Sequence, residues 1–202
     1  FSADFPGIIR DLIRKRLKNP NLPILFLPGC TGDMKPFIKS NKTVLDFLIG
    51  QSFPKNNFND YKNYCKTLES DLFECIKKTE TLITYNLDSI SHQEVKIPLQ
   101  DIGLINTNIN NLKFNLFRFN NINRFALINS EPSNEYSNLF GNECTVSGYS
   151  SGVFGYLPTN LQIQQGGYEV NGFKKYFGTR GTFVNNVEEI VTKSIKDECI
   201  TN

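Results

Sequence analysis

The chain has 202 residues, a formal net charge of +2, and a hydrophobic fraction of 39% that includes 17 phenylalanines. This length fits one domain or part of one, and the apolar residues are sufficient for a substantial core. The nearly balanced charge argues against recognition of nucleic acid or of an anionic membrane through a positive field. No apolar run approaches the length of about eighteen residues that predicts a membrane-spanning helix.

The five cysteines are scattered, and none has CxxC spacing, which argues against a metal cage built from thiols. We interpret them as buried, reduced thiols of a cytoplasmic protein. No charged start precedes an apolar stretch, so the sequence predicts no signal peptide, and secretion would require such a peptide upstream of Phe1. The only methionine is Met34, so we expect a processed chain or a piece of a longer one.

The first predicted element is an amphipathic helix. Asp4 is suited to cap it, and Pro6 falls in the first turn. Apolar residues recur on one face and basic residues occupy the others, which predicts a helix that ends near Asn19 with a solvated basic face.

The next stretch is the one around which the rest of the chain is organised. The apolar run at 24–27 predicts a buried strand, and the loop that follows contains Gly32, Asp33 and Lys35. Because ligands bind at the carboxyl ends of strands in open α/β sheets, Asp33 and Lys35 are candidate catalytic residues. The alternative is an ordinary strand exit with turn glycines, in which Asp33 ties the loop through hydrogen bonds to the backbone.

Helices and strands continue through the middle of the chain. The short apolar segment 44–50 predicts a helical turn, and apolar residues at helical spacing predict a long helix over 60–78. Strands are predicted at 82–87 and 95–99. The second should lie at a sheet edge, because Pro98 has no N–H to donate to a neighbouring strand.

The segment 104–123 is rich in asparagine, but its phenylalanines supply too much apolar surface for a disordered linker. It predicts a strand, a turn at 120–121 and a second strand at 124–128. A short strand at 145–149 and a final helix capped by Asn186 follow. The whole pattern predicts an α/β fold with a mixed sheet flanked by helices.

Five blocks of sequence, taken in order, are similar to a known family. They are Ser-Ala-Asp-Phe-Pro-Gly at 2–7, Gly-Asp-Met-Lys-Pro at 32–36, Phe-Ala-Leu-Ile-Asn-Ser-Glu-Pro at 125–132, Gly-Tyr-Ser-Ser-Gly-Val-Phe-Gly-Tyr-Leu-Pro-Thr at 148–159 and Gly-Gly-Tyr-Glu-Val at 166–170. Their order and spacing resemble the neutral/alkaline non-lysosomal ceramidase family in its short bacterial form. The resemblance implies that residues 1–202 are a single domain, the later part of a larger ceramidase-like α/β domain that hydrolyses N-acyl substrates with zinc.

The resemblance also implies a role for Glu131. It matches the zinc-ligating glutamate of the family's Pro-Gly-Glu block, although Asn129 and Ser130 precede it here. From the residues alone, Glu131 can equally be a glutamate that interacts with a helix dipole. The family's tyrosine ligand falls at Val153. The only histidine, His92, is predicted in a solvated loop, so these residues cannot complete a catalytic zinc site alone.

The remaining matches concern the substrate. Asp33 matches a family aspartate, and Lys35 stands where the family has a serine implicated in the reaction, so Lys35 either binds a polar substrate group or is simply exposed. We predict Tyr149, Tyr156 and Tyr168 as substrate-binding residues. The partner would be a small-molecule or lipid amide, with a sphingolipid as one option. The alternatives are a degenerate, non-catalytic member of the family and an unrelated α/β binding domain.

Overall fold

In a computed structural model, the described residues are 4–34, 58–78, 88–120, 123–141 and 144–200. The chain divides into two compact units, one made of residues 1–26 and 36–85 and the other of residues 27–35 and 86–202. The sequence interpretation of one domain over 1–202 stays a prediction. The predicted turn at 44–50, the predicted strand at 82–87 and Lys35 lie outside the described residues.

Among its described residues, the first unit contains the helices α1 (Asp4–Arg16) and α2 (Phe58–Lys78). α1 ends where Lys18 adopts a left-handed φ of 51°. The Asn19 N–H then donates to the Arg14 carbonyl at 3.0 Å, which satisfies one of the last carbonyls of the helix. The Arg16 guanidinium lies 5.0 Å from the centroid of the Phe73 ring and links the two helices. Both predicted helices are therefore confirmed.

The second unit contains the sheet and all candidate site residues that the structure describes. Its elements are β1 (Ile90–Pro98), a 3₁₀ turn (Leu99–Ile102), β2 (Leu104–Asn106), β3 (Asn111–Phe119), β4 (Asn123–Ile128), β5 (Glu131–Pro132), α3 (Glu135–Phe140), β6 (Thr145–Ser147), β7 (Tyr156–Leu157), α4 (Asn160–Gln165), a π-helical turn (Tyr168–Gly172), α5 (Lys174–Phe177), β8 (Thr179–Gly181) and α6 (Val187–Ile200).

The main sheet has the strand order β1-β3-β4-β6. β3 is antiparallel to both β1 and β4, whereas β6 lies parallel to β4. Helix α6 packs against β1, and α3 packs against β6. The predicted α/β fold with a mixed sheet flanked by helices is therefore confirmed, and β1, with Pro98, is an edge strand as predicted. Two further pairs, β2 with β8 and β5 with β7, complete the strands of the described residues.

The core of this unit follows from the alternation along β3. Leu112, Phe114 and Leu116 are buried, and the residues between them are half-buried. Because successive side chains of a strand point to opposite faces, the three apolar residues lie on one face of the sheet. They belong to the same buried cluster as Val191 and Ile195 of α6. Full burial of an apolar side chain contributes about 1.5–3 kcal/mol, so this face is a main source of stability.

The prediction of a strand at 24–27 is wrong. Residues 22–29 are not part of any strand, and Leu25 is 80% exposed. Pro23 and Pro28 flank the run and have no N–H groups, which leaves fewer donors for a ladder at its ends. The Pro28 carbonyl accepts one hydrogen bond, from the Gly148 N–H at 3.1 Å.

The placement of His92 in a loop is also wrong, because His92 lies in β1 opposite Phe117. Its ring stacks on Phe117 with centroids 4.7 Å apart, and its Nε2 is 3.0 Å from the Asn115 Oδ1. The long apolar strand β3 supplies partners that the local sequence around His92 does not reveal. The side chain remains exposed, as predicted.

Two other expectations concern cysteines and membranes. Cys30, Cys65 and Cys144 are buried as predicted, but Cys75 is exposed.

Among the helices in the described part of the chain, none is both long and apolar enough to cross a bilayer.

Gly155 generates the first testable prediction. Its φ is +131°, and an added Cβ would lie 2.0 Å from Cε2 of Phe173, which is fully buried. Gly155→Ala should therefore lower the free energy of unfolding by about 2 kcal/mol or more, measured by urea denaturation. Gly29→Ala is the control, because its Cβ would meet no atom within 4 Å. Equal stabilities of the two variants would contradict this packing.

Candidate functional site

The site is built on the short parallel pair β5–β7, in which Glu131 is in register with Tyr156. The Glu131 N–H donates to the Gly155 carbonyl at 2.9 Å, and the Ser133 N–H donates to the Leu157 carbonyl at 3.1 Å. These bonds place Glu131 beside Tyr156 although 25 residues separate them in sequence. The side chains of both residues are half-buried.

Tyr149 reaches the same place through an unusual backbone conformation. Its φ is 61°, and that of Ser151 is 57°. Left-handed backbone at a bulky residue costs about 1–3 kcal/mol and persists only where the surroundings enforce it. Here the Tyr149 N–H donates to the Ser130 carbonyl at 3.0 Å, and the Ser150 N–H donates to the Ile128 carbonyl at 2.8 Å. The strained turn therefore brings Tyr149 next to the residue that precedes Glu131.

Both phenols interact with the Glu131 carboxylate. Burial raises the pKa of Tyr156, and hydrogen bonding and the negative charge of Glu131 raise it further. Burial is also the largest cause of the raised pKa of Tyr149, followed by the same interactions with Glu131. A phenol with an ordinary pKa of about 10 is protonated at neutral pH, and the raised pKa values move ionisation still further from neutrality. The O–H groups of Tyr149 and Tyr156 are therefore potential donors beside a carboxylate acceptor.

Tyr168 extends this pair into an aromatic cluster. Its ring centroid lies 5.6 Å from that of Tyr156, with the ring planes at 77°. On the other side, Tyr156 packs at 5.5 Å against the buried Phe173, and Tyr168 lies 6.5 Å from Tyr176. Tyr168 is 47% exposed and Tyr149 is 46% exposed. Ring surface beside Glu131 is therefore open to a ligand.

Asp33 lies close to this site, but its carboxylate is engaged in structural hydrogen bonds. Oδ1 accepts from the Asn134 N–H at 2.7 Å, and Oδ2 accepts from the Gln162 side-chain amide at 2.9 Å. The neighbouring Gly32 N–H donates to the Pro132 carbonyl at 2.8 Å. These contacts tie the glycine loop to the segment that follows Glu131. They are the contacts of a positioning residue, and the catalytic role of Asp33 stays a prediction.

Gln162 is the residue that sequence reasoning missed. Its Oε1 accepts from the Ser133 hydroxyl at 2.6 Å and from the Thr159 N–H at 2.9 Å, while its amide nitrogen donates to Asp33. The Gln162 N–H in turn donates to the Thr159 Oγ1 at 3.2 Å, which completes a capping box at the start of α4. The Thr-x-x-Gln spacing in the sequence is the signal that points to it.

Cys30 adds a further buried group beside Asp33. Burial raises the pKa of its thiol to about 11, and the Asp33 charge contributes to this rise. A thiol with such a pKa is a poor nucleophile at neutral pH, because the thiolate is the reactive form. Cys30 is therefore a packing residue of the loop.

The structure thus brings together five of the six predicted site residues, namely Asp33, Glu131, Tyr149, Tyr156 and Tyr168. The sixth, Lys35, lies outside the described residues. Asp33 and Glu131 lie near one another as expected, although no strand precedes Asp33. Val153 is half-buried, and the phenols that meet Glu131 come from the two tyrosines on either side of it in sequence.

The described residues do not fit a zinc site on their own. They contain no group of three or more histidine, cysteine, aspartate or glutamate side chains that could hold a metal ion. A catalytic zinc needs about three protein ligands and an open position. Around Glu131 the structure offers one carboxylate and two protonated phenols, whose raised pKa values oppose ionisation to metal-binding phenolates.

No protein-family model, curated protein or solved structure matches this chain. The resemblance to ceramidases therefore stays a prediction, and the description of the site depends on its geometry.

The contact between Asp33 and Gln162 leads to a stability prediction. Asp33→Ala and Gln162→Ala should each lower the free energy of unfolding by about 1–2 kcal/mol, because each leaves hydrogen-bonding groups without partners. The double variant should lose less than the sum, by about 0.5–2 kcal/mol, since the two side chains share one bond. Urea denaturation of the four proteins measures this coupling. Additive losses would show that the bond is absent in solution.

A second prediction concerns the two phenols. In an ultraviolet titration of phenolate, Tyr149→Phe and Tyr156→Phe should each remove a late-titrating group, and Glu131→Gln should lower the pKa of both tyrosines by removing the charge that opposes ionisation. Because the folded pKa values are raised, the unfolded state releases these protons first. Their contribution to stability is therefore complete below about pH 10 and is lost as the pH rises through the folded values.

The control for this titration is Glu135→Gln, which removes the same charge from α3 and is not among the groups that shift either phenol. A Glu131→Gln titration curve that superimposes on that of Glu135→Gln would show that the carboxylate does not contact the tyrosines.

Proposed function

We propose that this chain is part of a ceramidase-like amide hydrolase that acts on N-acyl compounds. The observation that carries the proposal is the meeting of the Glu131 carboxylate with two protonated phenols, Tyr149 and Tyr156, beside open aromatic surface. The resemblance of the sequence blocks supports the reaction class. A lipid substrate such as a sphingolipid is the finer form of this proposal and draws on the resemblance alone.

These residues have groups suited to amide hydrolysis. A half-buried carboxylate can take the proton of a water molecule while the water oxygen forms a bond with the amide carbon. A phenol O–H can donate to the carbonyl oxygen as it gains negative charge. The C–N bond then breaks as the nitrogen receives the proton from the carboxyl group of Glu131. In this scheme Glu131 holds the proton, and Tyr149 or Tyr156 stabilises the oxyanion.

Zinc enters the proposal only through the resemblance. In a longer ceramidase-like domain, Glu131 would be one ligand, and the others would have to be supplied by residues other than those that the structure describes. The steps above are therefore derived for the side chains of this chain without a metal.

A degenerate, non-catalytic member of the family, which keeps the site for binding, is the second candidate function. It is favoured by the contacts of Asp33, whose carboxylate is engaged in loop hydrogen bonds, and by Val153 at the position of the family's tyrosine. His92, the only histidine of the sequence, lies in the edge strand β1 and belongs to no group of described side chains that could hold a metal, which also favours the non-catalytic candidate.

The two candidates are separated by an assay of N-acyl amide hydrolysis by the full-length protein. The substrates are fluorogenic amides with short and long acyl chains, tested with a chelator and with added zinc. Glu131→Ala should lower kcat/KM by at least about 100-fold, the loss expected for a general base. Val153→Tyr should preserve or raise the activity, since position 153 lies between Tyr149 and Tyr156 in the sequence and the resembling family has a tyrosine there.

Glu135→Ala serves as the matched control, because it removes an exposed carboxylate of α3. Full activity of Glu131→Ala would remove the basis of the proposal. Absence of activity in the wild-type protein, with and without zinc, would leave the binding function.

A further inference from the structure

Glu131 forms no ion pair with another residue in the described part of the chain. The ion pairs found there are Arg14 with Asp11 and both Lys96 and Lys113 with Glu94, and none involves Glu131. Its two phenol partners are neutral at physiological pH. The Glu131 carboxylate is therefore the negative group of the site that a positively charged ligand would contact.

The lysines nearest in sequence to the aromatic cluster do not supply that charge. The Lys174 ammonium donates to the Asn171 Oδ1 at 2.9 Å and to the Gly181 carbonyl at 2.8 Å. The Lys175 ammonium lies 4.8 Å from the centroid of the Tyr176 ring. Both ammonium groups are therefore engaged by groups other than Glu131.

The rings beside Glu131 are arranged to receive a cation. Tyr156 and Tyr168 meet nearly at right angles, so their rings form two walls, and Tyr149 adds a third aromatic side chain at the same carboxylate. A cation within about 6 Å of a ring centroid is attracted by the negative face of the ring. The carboxylate retains acceptor capacity, because it has about four lone-pair positions and two phenols face it.

The chemistry of the walls selects the type of cation. Magnesium and calcium require about six or more oxygen ligands, and zinc requires nitrogen, sulfur or several carboxylate ligands. Aromatic walls with a single carboxylate instead suit an organic ammonium, whose alkyl part contacts the rings and whose positive charge is attracted by the ring faces and the carboxylate.

We propose that Glu131, Tyr149, Tyr156 and Tyr168 form a binding site for an organic ammonium group. This inference deepens the proposed function and rests on it for the source of the ligand. When an amide is hydrolysed, the products are a carboxylic acid and an amine, and the proton passes from the acid to the amine. The resulting alkylammonium is the product that this site holds.

The test is calorimetric titration of the full chain with choline and with its neutral carbon isostere, dimethylbutanol, at constant ionic strength. Choline should bind about tenfold more tightly than the isostere, since only the charge differs. Glu131→Gln should remove this preference. Tyr168→Leu, which keeps an apolar side chain but removes the ring, should weaken choline binding by about 3- to 30-fold.

The matched control is Tyr176→Leu, which removes an exposed ring of the same cluster that is covered by Lys175. It should leave choline binding unchanged. Circular dichroism verifies that each variant is folded. Equal affinity for choline and dimethylbutanol, or choline binding that survives Glu131→Gln, would overturn the inference.

The hydrolysis assay separates this inference from the proposed function. Hydrolysis that depends on Glu131 without choline binding would refute the ammonium site alone. Choline binding that depends on Glu131 in a protein without amidase activity would refute the hydrolase and keep the site. One tightly bound zinc per chain that is lost in Glu131→Gln, together with no choline binding, would assign the carboxylate to a metal.

Discussion

Two backbone hydrogen bonds between β5 and β7 determine how Glu131 and Tyr156, the centre of the site, lie relative to each other. They join Glu131 to Gly155 and Ser133 to Leu157, and they place a carboxylate from one part of the chain beside a tyrosine from another. A parallel pair of two residues has little stability of its own. It persists here because the buried Phe173 packs where Gly155 has no side chain, so that the core holds the two strands together.

A polar network supports this pair from outside. Gln162 connects Ser133, Thr159 and Asp33, and therefore joins the end of β5, the start of α4 and the glycine loop. Every side-chain oxygen and nitrogen named in this network has a hydrogen-bond partner at 3.2 Å or less. Such a network holds the backbone that follows Glu131, while Tyr149 and Tyr168 remain exposed to solvent. The site thus combines a carboxylate on an anchored segment with accessible rings.

Much of the fold could be predicted where the signal is local. The alternation along β3, the amphipathic pattern of α1 and the Thr-led start of α4 each follow from side chains within one element. The apolar run at 24–27 misled the prediction, because an apolar pattern does not show whether a partner strand is present. His92 was misplaced because the strand that pairs with it lies more than twenty residues away in sequence.

The site could be predicted only in part for the same reason. Glu131 and the three tyrosines were singled out through their blocks, but their meeting depends on a strand pair too short to leave a period-2 pattern. The left-handed turn at Tyr149 has no glycine or asparagine at that position to reveal it. Asp33 accepts a hydrogen bond from Gln162, and these two residues are 129 positions apart in the sequence.

The central claim is that the carboxylate of Glu131 and the surrounding tyrosine rings form a cation site for an alkylated ammonium. A crystal structure of the chain grown with choline tests it most directly. The claim predicts density for the trimethylammonium group within about 6 Å of the Tyr168 ring centroid and in contact with the Glu131 carboxylate. A metal peak at Glu131, or choline bound only elsewhere on the molecule, would contradict it.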